Sequence, residues 1–367
     1  MKPSRLSWID YARGIAIILV AYRHVYEGAK ESGIAVQNYI FLEYINIFFY
    51  SFRMPLFFIL SGVFITKSLQ KRGFKAYLET KARSILYPYF LWGFLQLSLQ
   101  IVFTRYTNGH PTFLSYLNLF YQPREVAQFW YLYALFNVSI LYAVSKYFLK
   151  LTAIHNILIG VLLFYFSSII YQENIKTGFV FDICHYYIFF SVGDLISNFL
   201  LNKNNQRYFE SGKTLLFMFA AFVVVQSYFL IENLSHTTSK YMFVEFYQPF
   251  IFLFIAFIGC AFIVNLTFIL QKMNILNWLN ILGRYSLYIY VSHVIAFAGV
   301  RIILSKLLGI QNVALILISG IVSALVIPLI LYKLAVKWNI RWVFTLEKEQ
   351  EIIIGRKLSV NEPLKRM

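Results

Sequence analysis

The chain has 367 residues, 59% of them hydrophobic and 13% charged, with a mean hydropathy of +0.64 and a formal net charge of +17. That balance excludes an ordinary soluble domain of this length, and repeated apolar runs of about 20 residues favour membrane helices over a barrel, whose strands read as short alternating segments. The positive charge does not point to nucleic acid, because no nucleic-acid motif is present and the basic residues are scattered over the loops between the runs.

The first predicted helix, 8–28, carries Asp10, Arg13, Arg23 and His24 inside a run otherwise rich in Ile, Ala and Val. Each mid-helix Arg costs about 3 kcal/mol on an insertion scale, and each Ile, Leu or Val returns only about 0.3–0.6, so this helix needs partners. Arg13 and His24 stand eleven residues apart, which is three helical turns plus about 20°. They share one face, separated by about 16 Å along the axis.

The second predicted helix, 41–66, places Arg53 near the midplane, with Pro55 freeing a backbone carbonyl beside it. Arg53 then either satisfies that carbonyl or Asp10, or faces a ligand. Further helices are predicted at 84–104, 128–149, 153–171, 180–200, 213–231, 247–270, 284–305 and 312–335, making about ten in an all-α integral membrane protein. With an even number of crossings and the N-terminus inside, the inner segments hold 23 of the 33 Lys and Arg, six of them from Lys67 to Arg83. Both termini are therefore expected in the cytoplasm. The first helix is too long, and too interrupted by Arg13, to read as a cleaved signal peptide.

Residues 1–340 read as the transmembrane domain and 341–367, rich in Lys, Arg and Glu, as a cytoplasmic tail. Cys184 and Cys260 fall in predicted helices and read as small apolar fillers, with no disulfide or metal role. Asp182 and His185, one turn apart, have the spacing of an oriented acid–base pair or of two structural polar groups. Glu27 is placed either to orient the His24 ring or to face solvent. His293 is surrounded by Tyr290 and Ser292, which offer it local polar contacts. Tyr121, Phe129, Trp130 and Tyr131 form either an interfacial belt or a sugar-stacking surface, with Trp130 the residue singled out.

Several of these residues recur in one pattern. Asp10-x-x-Arg13-Gly14-x-Ala16 followed by His24 matches the Arg-x10-His signature, and Arg53-Met-Pro-Leu-Phe-Phe-x-Leu-Ser-Gly62 the second-helix motif, of the acyltransferase 3 family of membrane-bound O-acyltransferases. Lys81-Ala-Arg83 with Tyr87-Pro88, Trp130-Tyr131-Leu132, and Gly283-Arg284-Tyr285-Ser286 leading to Ile289-Tyr290 and His293 extend the resemblance to helices one to four and nine. Within the family the chain most resembles sugar O-acetylases related to the fucose 4-O-acetylase of nodulation factors.

The resemblance implies transfer of an acyl group, usually acetyl from cytoplasmic acetyl-CoA, to a hydroxyl of an extracytoplasmic or lipid-linked carbohydrate, by a multi-pass protein of the cell inner (plasma) membrane. It implies His24 as general base or covalent acyl carrier, with Arg13 as its partner in the signature. Asp10, Arg53, Arg83, Trp130, Tyr131 and His293 are then expected to hold donor or acceptor, without a metal. Anionic donor phosphates suit Arg13 and the basics from Lys67 to Arg83. Two other classes fit buried Arg and His: a transporter or flippase of lipid-linked sugars, and a non-catalytic partner in polysaccharide assembly.

Overall fold

The burden of charge on the first helix is met by placing it at the centre of the bundle. The computed structural model describes residues 6–236 and 241–347; Lys2, Arg5 and Lys240, and the tail from Lys348 to Arg366, on which part of the topology count rests, lie outside the described residues. Helix α1 (Ser7–Glu31) is followed by α2 (Ile40–Phe48) and α3 (Tyr50–Gly62), then by α4 (Ile65–Lys81) and α5 (Tyr87–Val102). The short α6 (Asn118–Tyr121) precedes α7 (Trp130–Tyr147), α8 (Ala153–Gln172) and α9 (Phe179–Leu201). After the short α10 (Gln206–Phe209) come α11 (Gly212–Ser235), α12 (Phe243–Tyr247) and α13 (Pro249–Met273). The chain closes with α14 (Asn277–Arg284), α15 (Ser286–Ile302) and α16 (Val313–Lys337).

Nine helical segments among the described residues are long and apolar enough to cross a membrane. They coincide with nine of the ten predicted elements. The tenth, α1, spans 25 residues, about 37 Å, but its six charged residues, Asp10, Arg13, Arg23, Glu27, Lys30 and Glu31, leave it less apolar than the rest. It packs instead against α3, α13, α14, α15 and α16. Hydrophobic burial adds little to helix association in lipid, so close packing of small residues has to supply it. α1 provides Ala12, Gly14, Ala16 and Ala21, all buried. A Cβ on Gly14 would overlap the Leu279 carbonyl, and one on Gly283 the Asp10 carbonyl, so α1 and α14 touch backbone to backbone.

Two local departures shape the rest. The predicted helix 41–66 breaks at Phe49 into α2 and α3. The basic stretch from Lys67 to Arg83 turns back on itself at Gly73, whose φ of 72° is the left-handed region that glycine tolerates. Arg72 donates to Thr80 Oγ1 across that turn at 3.0 Å. A π turn (Ala82–Leu86) then leads without a break into α5, with Pro88 two residues beyond it. The chain beyond α16 remains packed: Trp92 Nε1 donates to the Val343 carbonyl at 2.8 Å, and Phe344 is buried against Trp92, Tyr288 and Tyr332. Cys184 and Cys260 are buried free thiols.

Candidate active site

A cavity of about 810 Å³ opens between the second half of α1, α3, α5, the segment Pro123–Phe129 and α15. Glu31, Asn108 and Gly109 line it and are exposed, which sets its mouth at the end of α1 away from Arg13. His24 lines it, half-buried. The His24 ring lies 5.2 Å from that of His293, tilted by 54°.

His293 is fully buried, and its Nδ1 lies 2.7 Å from the Tyr290 carbonyl and 3.2 Å from that of Ile289. Carbonyls only accept, so Nδ1 carries the hydrogen and Nε2 keeps its lone pair. Nε2 has no hydrogen-bond partner among the described residues. The backbone of α15 thus sets the tautomer of an imidazole that stands directly behind His24.

Arginines gather around this pair. Arg53 lines the cavity and is 1% exposed; its Nη1 donates to Asn46 at 3.1 Å, whereas Nη2 has no partner among the described residues. Its guanidinium lies 5.1 Å from the Tyr50 ring centre and close enough to His24 for its charge to act there. Neither of the expected structural partners, Asp10 or the carbonyl freed by Pro55, holds it. Arg23 pairs with Glu27 at 2.9 Å, so Glu27 serves Arg23 and does not orient His24. Arg124 pairs with Asp182 at 2.7 Å and lies 4.6 Å above Trp130, which also lines the cavity.

Tyr131 is buried beneath the cavity, 5.1 Å from Tyr290 and 5.5 Å from Phe57, and so supports the wall. Tyr290 donates to the Gln128 carbonyl, and Gln128 and Gln96 exchange amide hydrogen bonds, the shorter 2.8 Å. These contacts hold the irregular segment before α7, in which Ala127 adopts a φ of 50°, against α15 and α5. Gln96 and Ala127 line the cavity with Tyr290.

Arg13, Asp10 and Arg83 belong to the other end. Arg13 lies in the first half of α1, eleven residues before His24, and its charge acts on both Lys81 and Tyr131. Asp10 is buried where α1 meets α14, and Arg83 sits in the π turn two residues beyond Lys81. The sequence motifs therefore divide: His24, Arg53 and Trp130 face the cavity, His293 and Tyr131 stand behind its wall, and Arg13, Asp10 and Arg83 lie toward the basic end.

Asp182 and His185 do not form an acid–base pair. Asp182 is held by Arg124, and His185, fully buried, lies 3.0 Å from Glu245 Oε1 and 3.0 Å from Ser167 Oγ, under the rings of Phe164, Phe181 and Phe246. Tyr121 is exposed and Phe129 is fully buried, so neither lines the cavity. Asn46, Gln96, Gln128 and Arg301 were not singled out from the sequence. The one available signal was Arg301, a fourth arginine inside a predicted apolar helix.

The helical bundle thus encloses a largely apolar cavity into which His24 and four arginines project, with a second imidazole behind its wall, a setting suited to a ligand that carries both apolar and anionic or polar groups. Residues 6–333 match the acyltransferase 3 family, described as an acyltransferase domain, and the chain belongs to that family. It is a multi-pass membrane acyltransferase. No curated protein and no solved structure matches it.

Proposed function

We propose that the protein moves an acetyl group from cytoplasmic acetyl-CoA to a hydroxyl of a carbohydrate that enters the cavity from the opposite side of the membrane, with both termini in the cytoplasm and the inner (plasma) membrane as its location. The observation that carries this reading is the position of His24. It lies on the cavity wall against His293, eleven residues along the same helix from Arg13, which reaches the basic hairpin.

In this reading the donor's phosphates rest on Arg13 and Lys81 and neighbouring basics, and the thioester arm extends beneath Tyr131 and Tyr290 toward His24. The separation of about 16 Å suits an extended arm. His24 takes the proton of the acceptor hydroxyl as its oxygen attacks the thioester carbonyl. The carbon–sulfur bond then breaks, and the departing thiolate takes the proton back from His24. In a two-step variant an imidazole nitrogen of His24 attacks the thioester carbonyl and expels the CoA thiolate; the acceptor hydroxyl then attacks the acyl-imidazole, the carbon–nitrogen bond breaks, and the hydroxyl proton passes to the thiolate. Either way negative charge gathers on the carbonyl oxygen. Nη2 of Arg53, which has no hydrogen-bond partner among the described residues, supplies a donor for it. His293, with its hydrogen fixed on Nδ1, offers Nε2 as acceptor for a His24 N–H and is a positioning residue.

Trp130 lines the cavity with Arg124 over its ring and Tyr186 packed against it, so it meets the sugar with its edge and with the Arg124 guanidinium. Mass spectrometry of surface glycans from a strain lacking the gene tests this: loss of an acetyl mass, restored by complementation, is expected. An unchanged glycan profile together with no acetyl-CoA consumption by purified protein would contradict it.

A further inference from the structure

Arg301 lies in the last turn of α15, just before the π turn Ile303–Leu307, a distortion that often marks functional positions. It lines the cavity, is 5% exposed, and its Nε has no hydrogen-bond partner among the described residues. The other lining arginines differ. Arg124 and Arg23 are paired with carboxylates, and Arg53 donates to Asn46. Three carboxylates face the same space: Glu27 is held by Arg23, Glu125 is exposed, and Glu31 is exposed at the mouth, with its Oε2 3.5 Å from Asn108 Nδ2. Glu31 acts on Arg301 electrostatically, yet no carboxylate among the described residues forms an ion pair with it.

A buried guanidinium with a carboxylate nearby but none in contact is costly in a membrane protein, and such residues mark ligand paths. Position supplies the rest. Eight residues separate Arg301 from His293 on α15, and seven separate Glu31 from His24 on α1. Arg301 therefore stands near the mouth, about 12 Å along the helix axis from the level of the imidazole pair.

We propose that the cavity mouth is an anion subsite centred on Arg301, which binds a carboxylate or phosphate of the acceptor while a hydroxyl of the same molecule lies against His24. This rests on reading the cavity as the acceptor chamber. It narrows the acceptor to an acidic glycan whose charged group lies on the mouth side of the reacting hydroxyl. The guanidinium fork suits either anion, as a bidentate charge-assisted pair.

The test is equilibrium binding to the full chain in phosphatidylcholine nanodiscs, with no acyl donor present. The probes are a galacturonic acid tetrasaccharide, its carboxyl-reduced neutral counterpart, and inorganic pyrophosphate. A charged probe should bind at least about tenfold more tightly than the neutral one. Arg301→Gln should weaken it by about ten- to a hundredfold, and Arg301→Lys should recover part of the loss. Preference for the tetrasaccharide assigns the group as carboxylate, and preference for pyrophosphate assigns it as phosphate. Equal binding of charged and neutral sugars, charged binding indifferent to Arg301→Gln, or displacement of both charged probes when phosphatidylglycerol enters the disc would overturn the proposal, the last by assigning Arg301 to a lipid headgroup. A protein that transfers acetyl yet ignores charge refutes the subsite alone; one that binds the charged probes but consumes no acetyl-CoA refutes the proposed function alone.

Discussion

Replacing Arg53 by Met should separate stability from catalysis. The side chain makes one charged hydrogen bond, to Asn46 at 3.1 Å, and one cation–π contact with Tyr50 at 5.1 Å. Losing them costs about 1.5–3 and about 0.5–2 kcal/mol respectively. Against that, the substitution removes a guanidinium that is 1% exposed and whose Nη2 is unsatisfied among the described residues, a relief of about 1–3 kcal/mol for the donor alone. Methionine fills much of the vacated volume with apolar atoms. These ranges together run from about 1 kcal/mol of gain to about 4 kcal/mol of loss, centred on a loss of about 1–2 kcal/mol. Turnover should fall much further, because removal of an oxyanion donor typically lowers it about 10²–10³-fold, or about 2.7–4 kcal/mol. The assay pairs reversible unfolding of the purified protein in mixed detergent with release of free CoA from acetyl-CoA in the presence of acceptor. A large loss of stability with turnover intact would refute the reasoning and make Arg53 a structural residue.

Two further outcomes are expected. Arg13→Ala should raise the apparent Michaelis constant for acetyl-CoA by about ten- to a hundredfold, with Arg13→Lys recovering part of it, as measured by donor titration; unchanged donor kinetics in folded protein would remove Arg13 from the donor path. A reporter fused after Lys75 should read cytoplasmic and one inserted at Asn108 external, because the Arg13 charge acts on Lys81 of the basic hairpin, whereas the cavity mouth lies at the end of α1 away from Arg13.

Much of this arrangement is legible in the sequence, for identifiable reasons. The long apolar runs fix the crossing elements, and the charges on 8–28 already require a helix wrapped by others, as α1 is. Helical periodicity puts Arg13 and His24 on one face before any coordinates are known. Tertiary pairing is not legible in the same way. Glu27 sits three residues from His24 and four from Arg23, and both spacings bring helical side chains together; only packing selects Arg23. Asp182 and His185 share a face of α9, yet each is claimed by a residue distant in sequence, Arg124 and Glu245. The break at Phe49 that brings Asn46 to Arg53, the reversal at Gly73 and the irregular segment that carries Ala127 and Gln128 toward Tyr290 are all local departures from regular helix, to which an apolar periodicity is blind. Arg301 shows the same limit from the other side. An arginine near a helix end ordinarily reaches the interface, and only the fold reveals that this one is enclosed.

The central claim, that His24 performs acyl transfer, is tested most directly by the acetyl content of surface glycan in cells complemented with wild type or His24→Ala at matched membrane abundance. The substitution should abolish acetylation, since losing a general base typically costs about 10²–10⁴-fold in rate and losing a covalent carrier more. Insertion should survive, because removing an imidazole lowers the polar load of α1. Near-normal acetylation in the His24→Ala cells would contradict the account.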